Sequence, residues 1–411
     1  MIKPPLRISP LILLLVACGP GTGTTQVTSE QWRADLQHLA RELPRRHVNA
    51  FHSVSRERFA AEVAQLDSAI PSLNDDQRIV GLMRVVALIG DGHTHLDLPA
   101  AWLRYPLELA WFGNELRVVV ADVRYQAEVG ARVLGIGGVP VDSAMRLVSS
   151  LVPRGENEGR TRLTATMLLT SPAVLHGLGL SPSRDEAAFD LVTVAGERRA
   201  VTFRPAAARD MSDLRLAAEH PPLSLQRLGE PWFTEFLPGS HTVYLAFRRY
   251  PPEADFRERT AALGRLLDET GARRIIIDLR LNGGGDFELG RQLLLPLLQS
   301  RPAINRSGGV YVITGPGTFS AAMVNAIDLR HNAKAILVGE ATGARPNSYS
   351  EHGDFRLPNA GLGVSYSVRH YRFGMDADSA VVPDKYVQPT WEQFRSGHDP
   401  VVEWILAQPI E

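Results

Sequence analysis

RRIIIDLRLNGGGD, residues 273–286, decides the architecture of the chain. Three consecutive isoleucines bounded by charges read as a short strand buried on both faces, as in a parallel sheet covered by helices. Three glycines follow at once. They free the backbone to approach a ligand and to present N–H groups toward a developing oxyanion, although a tight connection uses glycine in the same way. Neither Gly-x-Gly-x-x-Gly nor Gly-Lys-Ser/Thr is present, so a phosphate-binding loop is not indicated.

Outward from this stretch the pattern repeats. HTVYLAF (241–247) is a strand and Glu253–Thr270 an amphipathic helix. FELGRQLLLPLL (287–298) is helical, GGVYVIT (308–314) a strand, SAAMVNAIDLR (320–330) helical and AKAILVGE (333–340) a strand. Strands alternating with helices at this spacing call for right-handed crossovers and a parallel-rich α/β sheet. DFRLPNAGLGVSYSV (354–368) reads as a hairpin closed by Pro358-Asn359-Ala360-Gly361.

The N-terminal half differs. Trp32, Leu36, Leu39 and Leu43, then Phe59, Val63 and Leu66, then Ile79, Leu82, Val85 and Val86 recur at helical steps. A small helical bundle is expected over 30–98, with Ser55 and Ser72 starting its second and third helices. Over 99–205 the runs LELAWF, ELRVVVADV and ARVLGIGG are β-type, with a helical insertion and a hairpin around Ala195-Gly196. Residues 130–142 look like the second half of a PDZ-type module. The α/β core is expected over 206–411.

The extreme N-terminus reads as a targeting segment. Lys3 and Arg7 precede a short apolar run ending at Cys18, too short for a bilayer span of about 20 residues. Leu15-Val16-Ala17-Cys18 resembles a bacterial lipobox, and Cys18 is the only cysteine. A signal peptide at 1–17, lipid attachment at Cys18 and a Gly/Thr-rich tether over 18–29 are expected. The alternative is an ordinary secretory signal that contains a cysteine. An intramolecular disulfide is impossible. Cleavage would remove Lys3 and Arg7 and move the side-chain balance from -1 to -3. Gly19 after the cysteine favours the outer membrane if the cell has one. With 44% hydrophobic and 22% charged residues the composition is globular. A net charge of -1 with dispersed Lys and Arg argues against nucleic acid as a partner.

Two further stretches carry chemistry. In TGPGTFSAA (314–322) a strand passes through a glycine turn into a helix that starts at Ser320. Serine is a favoured N-cap, so capping alone accounts for it. The other reading is a nucleophile exposed on a sharp turn, with the N–H of Ala321 as an oxyanion donor. The surroundings are not Gly-x-Ser-x-Gly, which counts against an ordinary α/β-hydrolase. GDGHTH (90–95) offers histidines that suit either a general base or, with Asp91 and Asp97, a metal site.

DLRLNGGGD followed by TFSAAMVNAI and then ILVGEATG resembles the carboxy-terminal-processing peptidase family, over roughly residues 30–400. That family includes the tail-specific proteases, the tricorn core protease and the retinoid-binding repeats of the eye. The resemblance implies a ClpP/crotonase-like core and puts Ser320 on the family nucleophile. In the processing branch a lysine about 25 residues downstream is the base. Here Thr342-Gly343-Ala344-Arg345-Pro346 stands there, and arginine cannot take the role because it stays protonated. The tricorn-like branch uses a histidine from the N-terminal part, and His93 matches its place, though Gly92 stands where that branch has serine. A carboxylate is expected behind the histidine, with Glu351, Asp376 and Asp378 as candidates. The oxyanion donors implied are the N–H of Gly283 or Gly284 together with Ala321. The activity implied is acyl transfer from peptides or unfolded chains, needing no metal or organic cofactor. The alternative is a non-catalytic ligand-binding or scaffold lipoprotein on the same fold.

Overall fold

The computed structural model describes residues 27–99, 103–207, 210–211, 213–374 and 379–410. The expected signal peptide, Cys18 and most of the tether lie outside the described residues. No helix among the described residues is long and apolar enough to cross a membrane. Packing divides the chain into two units: Met1–Ala217 with Ser348–Tyr371, and Ala218–Asn347 with Arg372–Glu411.

The first unit opens with the helix Ser29–Arg46, begun by a capping box in which Thr28 and Gln31 exchange side-chain and backbone hydrogen bonds. Trp32, Leu36, Leu39 and Leu43 are each no more than 3% exposed, and a fully buried leucine contributes about 1.5–3 kcal/mol. Ser55 caps the second helix, Arg56–Ala69, as expected. The third begins later than its sequence suggests. Ser72 ends a 3₁₀ turn, and Asn74 caps Asp75–Ala87 because Gln77 returns a bond to its N–H. An antiparallel sheet follows, with path strands Leu107–Phe112, Glu115–Asp122, Arg132–Ile136, Ala187–Val192 and Arg198–Phe203. Three helices, Val141–Ser149, Glu158–Leu168 and Pro172–Gly177, fill the gap between its third and fourth path strands.

The same unit takes in a ribbon from much later in the sequence, Asn347–Arg356 and Gly363–Arg372, which forms a second sheet with His95–Asp97. The ribbon turns at the expected residues, with Gly361 at φ +67°. Asp35, fully buried, accepts from the N–H groups of Asn359 and Ala360 and from Asn359 Nδ2. The turn thereby satisfies a core carboxylate of the first helix.

In the second unit a six-stranded sheet runs in the order Lys385–Tyr386, Ile336–Gly339, Val310–Thr314, Arg274–Asp278, Thr242–Phe247, Trp232–Leu237. Only the last strand is antiparallel to its neighbour. All residues of Thr242–Phe247, Arg274–Asp278 and Val310–Thr314 are buried, as their unbroken apolar runs require. Glu253–Thr270 and Ala321–Asn332 are crossover helices. A third helical run starts at Phe287 and ends at Gln299, with one π-helical turn at Gly290–Leu294. Apolar cores lie on both faces of the sheet.

Candidate active site

The second unit brings the glycine turn against the start of the Ala321–Asn332 helix. Ser320 occupies the N-cap position, yet its backbone stands at φ 50°, ψ -125° and its side chain makes no capping hydrogen bond. Side chains other than glycine rarely adopt that conformation, and holding one there costs on the order of 1–3 kcal/mol. Capping therefore does not account for this serine. Four contacts fix the turn around it. Thr318 Oγ1 donates to Leu279 O at 2.8 Å and accepts from Gly315 N at 3.0 Å. Phe319 N donates to Asn282 O at 3.0 Å, and Gly343 N to Thr318 O at 2.9 Å.

Gly284 lies so close that a Cβ on it would come within 2.7 Å of Ser320 Cβ. At φ +111° it also needs the freedom of glycine. Its N–H donates to Asn282 Oδ1 at 3.0 Å, while Asn282 Nδ2 donates to Phe247 O at 3.0 Å. An oxyanion would therefore compete with Asn282 for the Gly284 N–H. Gly283 is exposed. Ala321 opens the helix, where an N–H has no intrahelical acceptor and the helix dipole favours negative charge. Below the turn, Arg280 donates to both Asp278 and Asp399 at distances down to 2.6 Å. Tyr244 OH donates to the same buried Asp278 at 2.6 Å.

His93 belongs to the first unit. Its Nε2 lies 3.4 Å from Ser350 Oγ on the ribbon, a neighbour that local sequence patterning does not point to. Burial pulls its pKa down to about 4 against the attraction of Asp91, and His95, Arg160 and His352 add to the lowering. The ring is thus neutral and able to accept a proton at neutral pH. His95 is exposed and sits 3.1 Å from Asp97.

Among the described residues, the donor atoms close enough together for a cation are those of His47, His52 and Asp91, within 4.8 Å of one another. Neither His93 nor His95 is in that group. The hydrogen bonds argue against a cation there. Asn49 N donates to His47 Nδ1 at 2.9 Å, so the ring proton is on Nε2, pointing at Asp91 Oδ2 2.8 Å away. A metal on Nε2 would need the opposite tautomer, with an Nδ1 proton facing the Asn49 N–H.

The fold is similar to that of mature CPAF. The two structures superpose with a TM-score of 0.61 at 12% sequence identity, covering 92% of this chain and 96% of CPAF. Mature CPAF complexed with lactacystin gives 0.59 at 12% identity, over 92% of this chain and 97% of that one. The photosystem II D1 C-terminal processing protease aligns over 91% of this chain and 99% of its own, at 16% identity and a TM-score of 0.42. The chain thus has the mixed α/β fold of the S41 family proteases, with a mostly parallel sheet, N-terminal helices and antiparallel β regions. No family model matches the sequence, and no curated protein matches it.

Asp376 and Asp378 lie outside the described residues. Glu351 is exposed at φ +48°, accepts from Tyr371 OH and pairs with Arg369 at 3.1 Å. Its carboxylate is therefore engaged with the ribbon's own side chains. A carboxylate bonded to the His93 main chain is Asp91, which accepts from His93 N at 3.1 Å and Ser367 Oγ at 2.6 Å. Its place within GDGHTH was visible in the sequence, but its partners come from residues 47 and 367.

Proposed function

We propose that this protein is a serine peptidase working through an acyl-enzyme, with Ser320 the nucleophile and His93 the general base. The observation that carries the reading is Ser320 itself, held at φ 50°, ψ -125° at a helix N-terminus without capping it. Strain of this kind clusters at functional sites.

In this scheme His93 takes the proton of the Ser320 hydroxyl as its oxygen attacks a peptide carbonyl. The N–H groups of Ala321 and Gly283 hold the oxyanion, with Gly284 contributing if Asn282 releases it. The imidazolium then protonates the leaving amine, and water, deprotonated by His93, releases the acyl group. Substrates are peptides or unfolded chains bound in extended form, with the 99–205 region acting as a PDZ-like module beside a ClpP/crotonase-like core. The enzyme works outside the cytoplasm, tethered through a lipid on Cys18 and favouring the outer membrane.

Treatment of the purified protein with a fluorophosphonate tests the chemistry. Adduct on Ser320, lost in Ser320→Ala and reduced at least a hundredfold in His93→Ala, is the expected result. Folded protein that takes no label would overturn it. Lactacystin, which is bound in one CPAF structure, is expected to slow labelling. Palmitate incorporation that disappears in Cys18→Ser tests the anchor.

A further inference from the structure

The loop that carries His93 is fastened through Asp91 and Thr94 and, at Gly92, by a hydrogen bond to Glu156. Asp91 is 3% exposed. Oδ1 takes the N–H of His93 at 3.1 Å and the hydroxyl of Ser367 at 2.6 Å. Oδ2 takes the Nε2 proton of His47 at 2.8 Å. Thr94 N donates to Asp91 O, and Ser367 N donates to Thr94 Oγ1. A buried carboxylate is costly unless its lone pairs are filled, and here two side chains and a backbone N–H fill them.

Among the described residues, the ion pairs Asp91 makes are with imidazoles, His47 at 2.8 Å and His52 at 4.0 Å. The His47 tautomer fixed by Asn49 makes that ring a neutral donor. The anion is therefore well bonded but not neutralised by a guanidinium or ammonium. Such a site attracts positive charge, and the imidazolium formed when His93 takes a proton supplies it. Burial works to raise the pKa of Asp91, but the hydrogen bonds of His47 and Ser367 outweigh it and hold the group below its ordinary value. The other charged or titratable groups acting on His93 are His95 on the adjoining strand, Arg160 on the Glu158–Leu168 helix and His352 on the ribbon. All three disfavour the imidazolium. Glu156 accepts from Gly92 N at 3.1 Å.

We infer that Asp91 is the carboxylate that positions His93 and steadies its imidazolium, and that His47 positions Asp91. The inference rests on the reading of His93 as a base and fills the place that Glu351, Asp376 and Asp378 left open. Asp91 and His47 are positioning residues; neither is assigned contact with the substrate.

The test compares Asp91→Asn, His47→Leu and His47→Gln in the full-length protein. In the fluorophosphonate assay Asp91→Asn and His47→Leu are expected to label Ser320 at least about tenfold more slowly. The acid limb of the pH profile should move to lower pH in Asp91→Asn, because the attracting anion is gone. His47→Gln keeps a donor toward Asp91 and should recover to within about threefold of wild type. If Asp91→Asn does not fold, the two His47 variants decide. Wild-type rates and an unmoved profile in Asp91→Asn, or equal rates in His47→Leu and His47→Gln, would overturn the inference. A second readout does not depend on reaction. The ring NMR titration of His93 should shift to lower pH in Asp91→Asn or, if that variant is unfolded, in His47→Leu, and an unchanged titration overturns the inference. Were wild type unlabelled while this titration moved, the peptidase reading alone would fall.

Discussion

Replacing Ser320 by glycine is expected to make the protein more stable while abolishing its chemistry. At φ 50°, ψ -125° a non-glycine residue carries on the order of 1–3 kcal/mol of strain. Glycine removes that strain but adds unfolded-state entropy of about 0.5–1 kcal/mol. The net gain is about 0–2.5 kcal/mol, and for a unit of this size each kcal/mol moves the melting temperature by about 2–4 °C. Ser320→Ala keeps the strain and loses no cap, so it should show none of the glycine variant's gain. A capping serine behaves differently: its alanine variant loses about 0.5–2 kcal/mol and its glycine variant a few tenths. Differential scanning calorimetry and urea titration of the three proteins separate the cases by sign. A glycine variant that melts below wild type refutes the claim that the residue is strained, and with it the argument that capping does not account for the serine.

Gly284→Ala places a methyl 2.7 Å from Ser320 Cβ at φ +111°; it should cost about 1–3 kcal/mol by urea titration and slow phosphonylation. Arg280→Ala strips the shared cation from Asp278 and Asp399 and should cost about 3–5 kcal/mol, the usual penalty for orphaning buried charge, read as a lower urea midpoint. For His93 the folded pKa of about 4 lies below its ordinary 6.5. Labelling should therefore hold steady from neutral pH to about 5 and fall toward 4. The unfolded chain takes this proton first, so stability should decline as pH drops from 6.5 to about 4 and level off below; a melting temperature flat across that window refutes the assignment.

Local chemistry made much of this legible. Glu253–Thr270 is helical over the residues its pattern marked, and the apolar strands of the core lie where their runs end. Where two local signals competed, the reading slipped: Ser72 is a good cap, but the Asn74–Gln77 pair satisfies two N–H groups at once. The histidine loop was visible as a motif, yet what holds it was not. His47, Ser350 and Ser367 reach it across 44, 257 and 276 residues of sequence, and no periodicity carries such pairings. The N–H of Gly283 or Gly284 is expected from the sequence to face a ligand, and only the folded turn shows Asn282 taking that of Gly284.

The ribbon carries a consequence for how the protein is made. The first unit includes Ser348–Tyr371, and Phe355, Leu357, Leu362 and Val364 are part of its core. A chain emerging from its N-terminus therefore cannot complete that unit when residue 217 appears. Asp35 and Asp91 stay without their ribbon donors until more than 130 further residues have followed. Contacts this distant close slowly. Until then a half-built N-terminal core waits with exposed apolar surface, a state that a partly extruded, unfolded chain would share with one released too early by truncation.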